Sequence, residues 1–473
     1  MAKYLYGASV QGIQDFIFKT NKLIEVIGAS EIVKAIDTMI NIYKPDVIVM
    51  QAAGNIKVIF HNKDELQKVV KNFPKEIMQN AFGITISQAV IIIHGDEPTK
   101  DEINTLEKKL KIQRNKPAIP LDLHSNILEL YPKTARPIWA DSKESLDVAT
   151  QQKHDEYAKW FKKEREKNPK LQELKELTAL SNGKNKIAII HADGNGLGEL
   201  LPNLKEKTNL TITEFSQKLD TATHKAFERA SAGVEKIRPV ILGGDDMSVV
   251  CDANIALEFT KDFLKYFEEE TQKELKFKLT ACAGIAYSNN KYPLHYALHL
   301  AEALTSQTKK HAKALREKEK LDFVPSSLMF HNIQSSNFQS WDKFIQDELT
   351  ITNDTQTIHL DFGPYYLEHK EQPQIQDFIH TVEAYRCEGS PISRLRSWLS
   401  ELYKDNQSAK DMLERINIIT QEKDRWNCEI MDNNLKIFNK NLSQNNLIVP
   451  KDGEQKTPIY DVLQILSTTE AKR

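Results

Sequence analysis

The sequence predicts an α/β protein of the α+β kind: two ferredoxin-like units in β-α-β-β-α-β order, a helical linker between them, and a C-terminal helical domain. Three observations predict it. Strand-length apolar runs alternate with helically periodic stretches in the same order twice along the chain. Each copy has two short β-rich runs separated by a few turn-forming residues, the mark of a hairpin between the middle strands. Beyond residue 372 the pattern is helical. The expected divisions are 1–116 for the first unit, 117–185 for the linker, 186–371 for the second unit and 372–473 for the C-terminal domain.

In the first unit, the apolar run Tyr4–Val10 reads as a strand and Ile13–Ile36 as helix. Asp46–Met50 and Ile56–Phe60 flank Gln51-Ala52-Ala53-Gly54-Asn55 as a hairpin; the charged stretch Lys63–Gln79 reads as helix and Ile84–His94 as the last strand. The linker carries Pro117, Pro120, Pro132 and Pro137, then a charged run from Lys143 to Leu180, read as solvated helix. The second unit repeats the order: strand Lys186–Ala192, a helix Thr211–Ser231 opened by the capping pattern Thr211-Ile212-Thr213-Glu214, then a hairpin of Pro239–Leu242 and Met247–Cys251. Asn254–Leu275 (helix), Phe277–Tyr287 (strand) and Pro293–Leu315 (helix) complete it. Ile375–Cys387, Ser393–Lys404 and Ser408–Glu422 are the helices expected in the C-terminal domain.

Bulk composition excludes several classes. A length of 473 residues implies more than one core, and 40% hydrophobic residues suffice to build them. The formal net charge of −2 argues against coating nucleic acid through bulk charge, while leaving room for a local basic groove. Four scattered cysteines (Cys251, Cys282, Cys387, Cys428) provide neither a disulfide framework nor a zinc ribbon and suit a reducing compartment. The N-terminal residues do not read as a signal peptide, and no apolar stretch approaches the ~20 residues that span a bilayer. The expected location is cytoplasmic, with no membrane partner.

Two segments carry chemistry. A strand ending in Asp193 runs into Gly194-Asn195-Gly196-Leu197-Gly198, where glycines let backbone N–H groups turn tightly toward an anion such as a triphosphate. The second hairpin presents Asp245 and Asp246 behind Gly243 and Gly244. In this topology the first strand lies beside the hairpin, so Asp193 and Asp245 converge at one end of the sheet. Magnesium takes a few hard carboxylate oxygens and completes its shell with water and phosphate. Two such ions activate a 3′-hydroxyl and stabilise departing pyrophosphate. Taken singly, Gly-Gly-Asp-Asp is also explained as a plain turn and Asp-Gly-Asn-Gly as a plain strand-to-helix connection; the joint pattern points to a metal site.

These residues, with Tyr6-Gly7-Ala8-Ser9-Val10-Gln11-Gly12-Ile13-Gln14-Asp15-Phe16-Ile17-Phe18, Ile27-Gly28-Ala29-Ser30-Glu31, Pro325-Ser326-Ser327 and Gly363-Pro364-Tyr365-Tyr366, resemble the large polymerase-like subunit of type III CRISPR effector complexes. Its two palm domains are distantly similar to GGDEF diguanylate cyclases. The resemblance implies that ATP is joined and cyclised into cyclic oligoadenylate messengers in antiviral defence, with two Mg2+ or Mn2+ ions. Guide or target RNA and other effector subunits are the implied partners, or self-association for a stand-alone relative. It makes Asp193, Asp245 and Asp246 the metal ligands and catalytic groups, with Gly194 beside them. Gly194, Asn195, Gly196, Gly243 and Gly244 line the nucleotide, and Lys309 resembles a phosphate-pairing lysine, the other reading being a solvated lysine beside Lys310 and Lys313.

Departures from the family matter too. The first palm has Ser9 where the second has Asp193, and its turn Ala52–Asn55 has no carboxylate. It is expected to be non-catalytic, with Ser9 and Asn55 as candidate contacts to an acceptor nucleotide or as structural residues. The chain begins at the palm without a preceding HD nuclease domain, His154-Asp155 lacks further histidines, and His295 and His299 lack a third ligand. The alternatives are a non-catalytic RNA-binding scaffold subunit, a linear oligomer synthase, or a cyclic dinucleotide synthase of different base preference.

Overall fold

Apolar side chains at nearly every position of Tyr4–Val10 demand burial on both faces, and in the computed structural model this segment is an inner strand. The structure describes residues 3–471 apart from 53, 117–127, 140–143, 168–172, 202–203, 205–207, 335–339, 354–355 and 423–427. Ala53, Pro117, Pro120 and Lys143, invoked above, lie outside the described residues. Helix and strand mix as expected, and both units are palms.

In the first palm, β1 (Lys3–Gln11), β2 (Val47–Ala52), β3 (Asn55–Phe60) and β4 (Thr85–Ile93) form an antiparallel sheet in the order β2-β3-β1-β4. Helices α1 (Leu23–Met39) and α2 (Lys63–Asn80) provide the crossovers. Between β1 and α1 the chain makes a separate short helix, Ile13–Phe18, so the single long helix expected there is broken. A further helix, α3 (Lys100–Arg114), has a complete Thr99–Glu102 capping box and buries Leu106 and Leu110. Its face closes the outer side of the sheet with Leu5, Ile59, Ile91 and Ile93.

The charged run reads differently in three dimensions. Helix α4 (Val148–Lys167) is not solvated all round: Lys153 and Tyr157 are buried and the helix lies on α1. Gly28 permits this, because a Cβ there would come within 1.8 Å of the Lys153 carbonyl oxygen. Lys153 Nζ donates to the Phe16 carbonyl at 2.7 Å and sits over the Phe16 ring. His154 contacts Glu25 and Glu144, a structural pairing.

The second palm repeats the first. Strands β5 (Lys186–Gly194), β6 (Ile237–Gly243), β7 (Asp246–Asp252) and β8 (Ala281–Asn289) lie in the order β8-β5-β7-β6, the same arrangement as β4-β1-β3-β2. Helices α5 (Ile212–Ala230) and α6 (Ala256–Leu275) cross over, and Thr211 and Glu214 form the expected capping box. Here β8 is extended outward by β9 (Ser327–Asn332), paired in parallel, and then by β10 (Tyr365–Tyr366). Helix α7 (Leu294–Glu319) joins β8 to β9 and packs on β8 with Gly284 at the crossing, where a Cβ would meet the Ala301 carbonyl at 2.1 Å.

The C-terminal region contains the expected helices at Ile375–Tyr385, Ile392–Leu402 and Asn406–Glu422. It also has a hairpin, Val449–Lys451 with Glu454–Lys456, which pairs with Gln356–His359. The two palms meet directly: Ser30 donates to the Val240 carbonyl, and Thr213 Oγ1 lies 3.0 and 2.9 Å from the Ile48 and Val49 carbonyls of edge strand β2.

Candidate active site

Register decides what the hairpin presents. Strand β5 pairs with β7 so that Asp193 stands opposite Asp246. Gly243 pairs with Asp246 across β6 and β7, leaving Gly244-Asp245 as a two-residue turn. Gly244 adopts φ +61, a backbone that side chains resist. Gly194 serves by being small: a Cβ there would meet the Asp245 Cβ at 2.8 Å. Its N–H donates to the Asp245 carbonyl at 3.2 Å, closing the turn onto the strand. Asp193, Asp245 and Asp246 then offer carboxylate oxygens within 4.8 Å of one another.

Three carboxylates this close repel. Burial, then Asp246 and Asp193, pushes the Asp245 carboxyl well above its ordinary range. Burial and then Asp193 push Asp246 up to about 6, against the opposing pull of Lys309. Lys309 Nζ pairs with Asp193 Oδ2 and donates to the Gly194 carbonyl at 2.7 Å. A divalent cation relieves this crowding, and an all-oxygen donor set suits Mg2+ or Mn2+. The residues therefore fit a hard divalent ion. Among the described residues this is the one cluster of three such ligands; His295 and His299 belong to no such cluster.

The remaining candidates divide. Gly196, φ +78, caps the short helix Leu197–Leu200 with open space at its Cα. Asn195 turns inward: its N–H donates to the Thr280 carbonyl at 2.8 Å and its amide to Thr280 Oγ1 and Cys282. In the first palm, Ser9 is buried, donates to Asn55 Oδ1 at 3.0 Å, and accepts from Arg114 at 2.5 Å. Neither Ser9 nor Asn55 lines the cleft between the palms.

Sequence reasoning passed over three residues around the triad. Asp220 and Thr223 of α5 hydrogen-bond the Gly244 peptide. Glu302 of α7 is pushed up to about 7 by burial and accepts from Gln14 of the first palm. Asp220 and Thr223 do share one helix face, an i,i+3 signal, but only the fold shows that this face meets the turn. A cleft of ≈ 740 Å³ between the palms is lined by Gly12, Gln14 and Asp37 from the first and by Asp220, Gly243 and Asp246 from the second.

Two palms, one with a carboxylate triad at the hairpin end of its sheet, define a double-palm protein with a single acidic centre among its described residues. Residues 186–321 match the family profile "Cas10/Cmr2, second palm domain", and this stretch of the chain is Cas10-like. The backbone aligns with the Csm1-Csm4 cassette in complex with pppApApA at 14% identity and a TM-score of 0.52, over 92% of this chain and 69% of that one. The cassette in complex with cA3 aligns at 13% identity and a TM-score of 0.51, over 99% and 70%. At these identities the likeness is one of fold. In the alignment with the cassette in complex with cA4 (15% identity, TM-score 0.45, 66% of this chain), the chain spans 53% of its relative, about half. No curated protein matches the sequence.

Proposed function

We propose that this chain is a metal-dependent nucleotidyltransferase that joins ATP and closes the product into cyclic oligoadenylates. The observation that carries the reading is the convergence of Asp193, Asp245 and Asp246, with Asp246 on the wall of an inter-palm cleft large enough for nucleotides. Mg2+ or Mn2+ held by these three side chains would supply Lewis-acid stabilisation of attacking and leaving oxygens. Asp246, on the cleft wall, assists the second metal or receives the proton from the 3′-hydroxyl of one ATP. That oxygen bonds to the α-phosphorus of a second ATP as the bond to pyrophosphate breaks. The ammonium of Lys309, beside Asp193 and the Gly194 carbonyl, offsets phosphate charge. Gly196 and Gly244, with open space where a Cβ would stand, leave room for the phosphates to approach backbone. The first palm contributes a wall of the cleft rather than a second metal centre.

Csm1 is found with Csm4 in the matched structures, and we extend the proposal to assembly with a Csm4-type subunit and activation by RNA. The test is incubation with each labelled nucleoside triphosphate, Mg2+ or Mn2+, with and without RNA, followed by mass spectrometry. Cyclic oligoadenylate from ATP, abolished in Asp245→Ala/Asp246→Ala, is expected. No pyrophosphate release under any condition, or undiminished release from that variant, overturns the reading.

A further inference from the structure

A turn that carries two metal-ligating carboxylates has to be held, and glycine alone cannot do it. Gly243-Gly244 has no side chains to pack, and Gly244, held at φ +61, has more conformational alternatives to give up than any other residue type. The grip comes from α5. Asp220 Oδ1 accepts the Gly244 N–H at 3.1 Å, and Thr223, fully buried, donates its hydroxyl to the Gly244 carbonyl at 2.5 Å. Both polar groups of a single residue are thus taken, one turn of helix apart. The fit extends to Gly243, where a Cβ would lie 3.3 Å from Asp220 Oδ1. The helix is itself fixed: Thr211 and Glu214 cap its start, and Thr213 reaches the first palm's edge strand.

We infer that Asp220 and Thr223 form a clasp that positions Asp245 and Asp246 by fixing the Gly244 peptide. The inference rests on the proposed nucleotidyltransferase reading. Asp220 is half-exposed at the cleft with His224 beside it at 3.6 Å, so a second role, as a charged group toward the ligand, is the competing explanation. Asparagine separates the two, since Asp220→Asn keeps the accepting Oδ1 and loses the charge. Thr223→Ser keeps the donor and Thr223→Val removes it.

The experiment measures pyrophosphate release from ATP, Mn2+ affinity and thermal unfolding in the full chain, with hydrogen exchange read over the peptide containing residues 243–247. Asp220→Ala and Thr223→Val are expected to lower kcat by up to about 10²-fold, the order associated with displacement of an aligned group by 1 Å. KM for ATP should stay within about twofold, while Mn2+ binding weakens and exchange at the turn accelerates. Asp220→Asn and Thr223→Ser are expected to restore both. Asp220→Asn as impaired as Asp220→Ala would overturn the clasp in favour of charge, as would unchanged exchange in either disabling variant. Should Asp220→Ala fail to fold, the Thr223→Val and Thr223→Ser pair decides. If the parent releases no pyrophosphate, the proposed function fails, and turn exchange alone still confirms or overturns the clasp.

Discussion

Gly194→Ala adds one methyl group at the most constrained point of the site. The backbone of Gly194 is not in the left-handed region, so alanine meets no conformational penalty there and the effect is purely steric. The new Cβ would lie 2.8 Å from the Asp245 Cβ and 2.9 Å from Leu197 Cδ1. The leucine methyl can swing away, but the Asp245 Cβ is fixed to a turn whose carbonyl is bound by the Gly194 N–H at 3.2 Å. Carbon atoms settle at about 3.5 Å or more, so the turn must retreat by roughly 0.7 Å. Overpacking of this size destabilises by about 1–3 kcal/mol. On the proposed function, a shift of the Asp245 carboxylate approaching 1 Å should lower turnover by an order of magnitude or more. Two neighbours provide controls: Gly198→Ala meets open space at an ordinary φ and should leave activity and Tm unchanged. Gly196→Ala also meets open space but at φ +78, so it should cost about 1 kcal/mol of stability. The assay is pyrophosphate release beside thermal unfolding for all three. If Gly194→Ala retains turnover within twofold of the parent, the crowding argument is refuted.

Two further outcomes follow from the electrostatics. Asp246 has its proton affinity raised from 3.8 to about 6, and Glu302 from 4.5 to about 7. A carboxyl whose folded pKa exceeds its unfolded one stabilises the fold below the unfolded pKa, and that stability is lost as pH rises through the folded pKa. The metal-free protein should therefore lose stability between about pH 4 and pH 7. Added Mg2+ should raise Tm more at pH 7.5 than at pH 5, which calorimetry in both buffers checks; an equal gain at the two values rejects it. Separately, Lys309→Met removes a cation that pairs with Asp193. Mn2+ affinity, read by electron paramagnetic resonance, should rise severalfold while turnover of ATP falls. A parallel fall in both would place Lys309 in a structural role instead.

Much of this was legible because it is local. Strand positions follow from apolar runs such as Tyr4–Val10, and the convergence of Asp193 with the hairpin follows once β5 is set beside β7. What stayed hidden depends on contacts distant in sequence. The charged composition of α4 gives no sign that Lys153 lies buried on Gly28, more than 100 positions earlier. The late start of β8, at Ala281 rather than Phe277, reflects Lys276 closing α6 at φ +69, a left-handed cap at a residue whose type gives no hint of it. The hairpin Val449–Lys456 lies in a region expected to be helical, and its strand character depends on Gln356–His359 as a partner strand. Asp220 and Thr223 look like any polar face of an amphipathic helix until the turn is placed against them.

Besides Ser9 and Asn55 in place of Asp193 and Asp246, the two palms differ by an exchange of bulk that decides which turn can carry a carboxylate. Gly194 and Asp245 of the second palm correspond to Val10 and Gly54 of the first: in each, the strand residue's N–H donates to the turn residue's carbonyl, at 3.2 and 2.8 Å. A Cβ on Gly194 would meet the Asp245 Cβ at 2.8 Å, and a Cβ on Gly54 would meet the Val10 Cβ at 2.9 Å. The pair of positions holds one Cβ, so a carboxylate at the turn requires glycine on the strand. Gly54→Asp alone should therefore destabilise the first palm by about 2 kcal/mol or more, combining overpacking against Val10 and Ile13 with the strain of φ +73. Val10→Gly/Gly54→Asp should recover the part due to the Val10 clash, seen as a Tm above that of the single Gly54→Asp variant. Non-additivity of this sign is the signature of two side chains competing for one space. If the double variant melts no higher than Gly54→Asp, the two turns are not limited by the same contact, and the first palm's lack of a carboxylate needs another cause. If it does, Val10 is what bars a side chain from that turn, in addition to Ser9 and Asn55 standing where the second palm has Asp193 and Asp246.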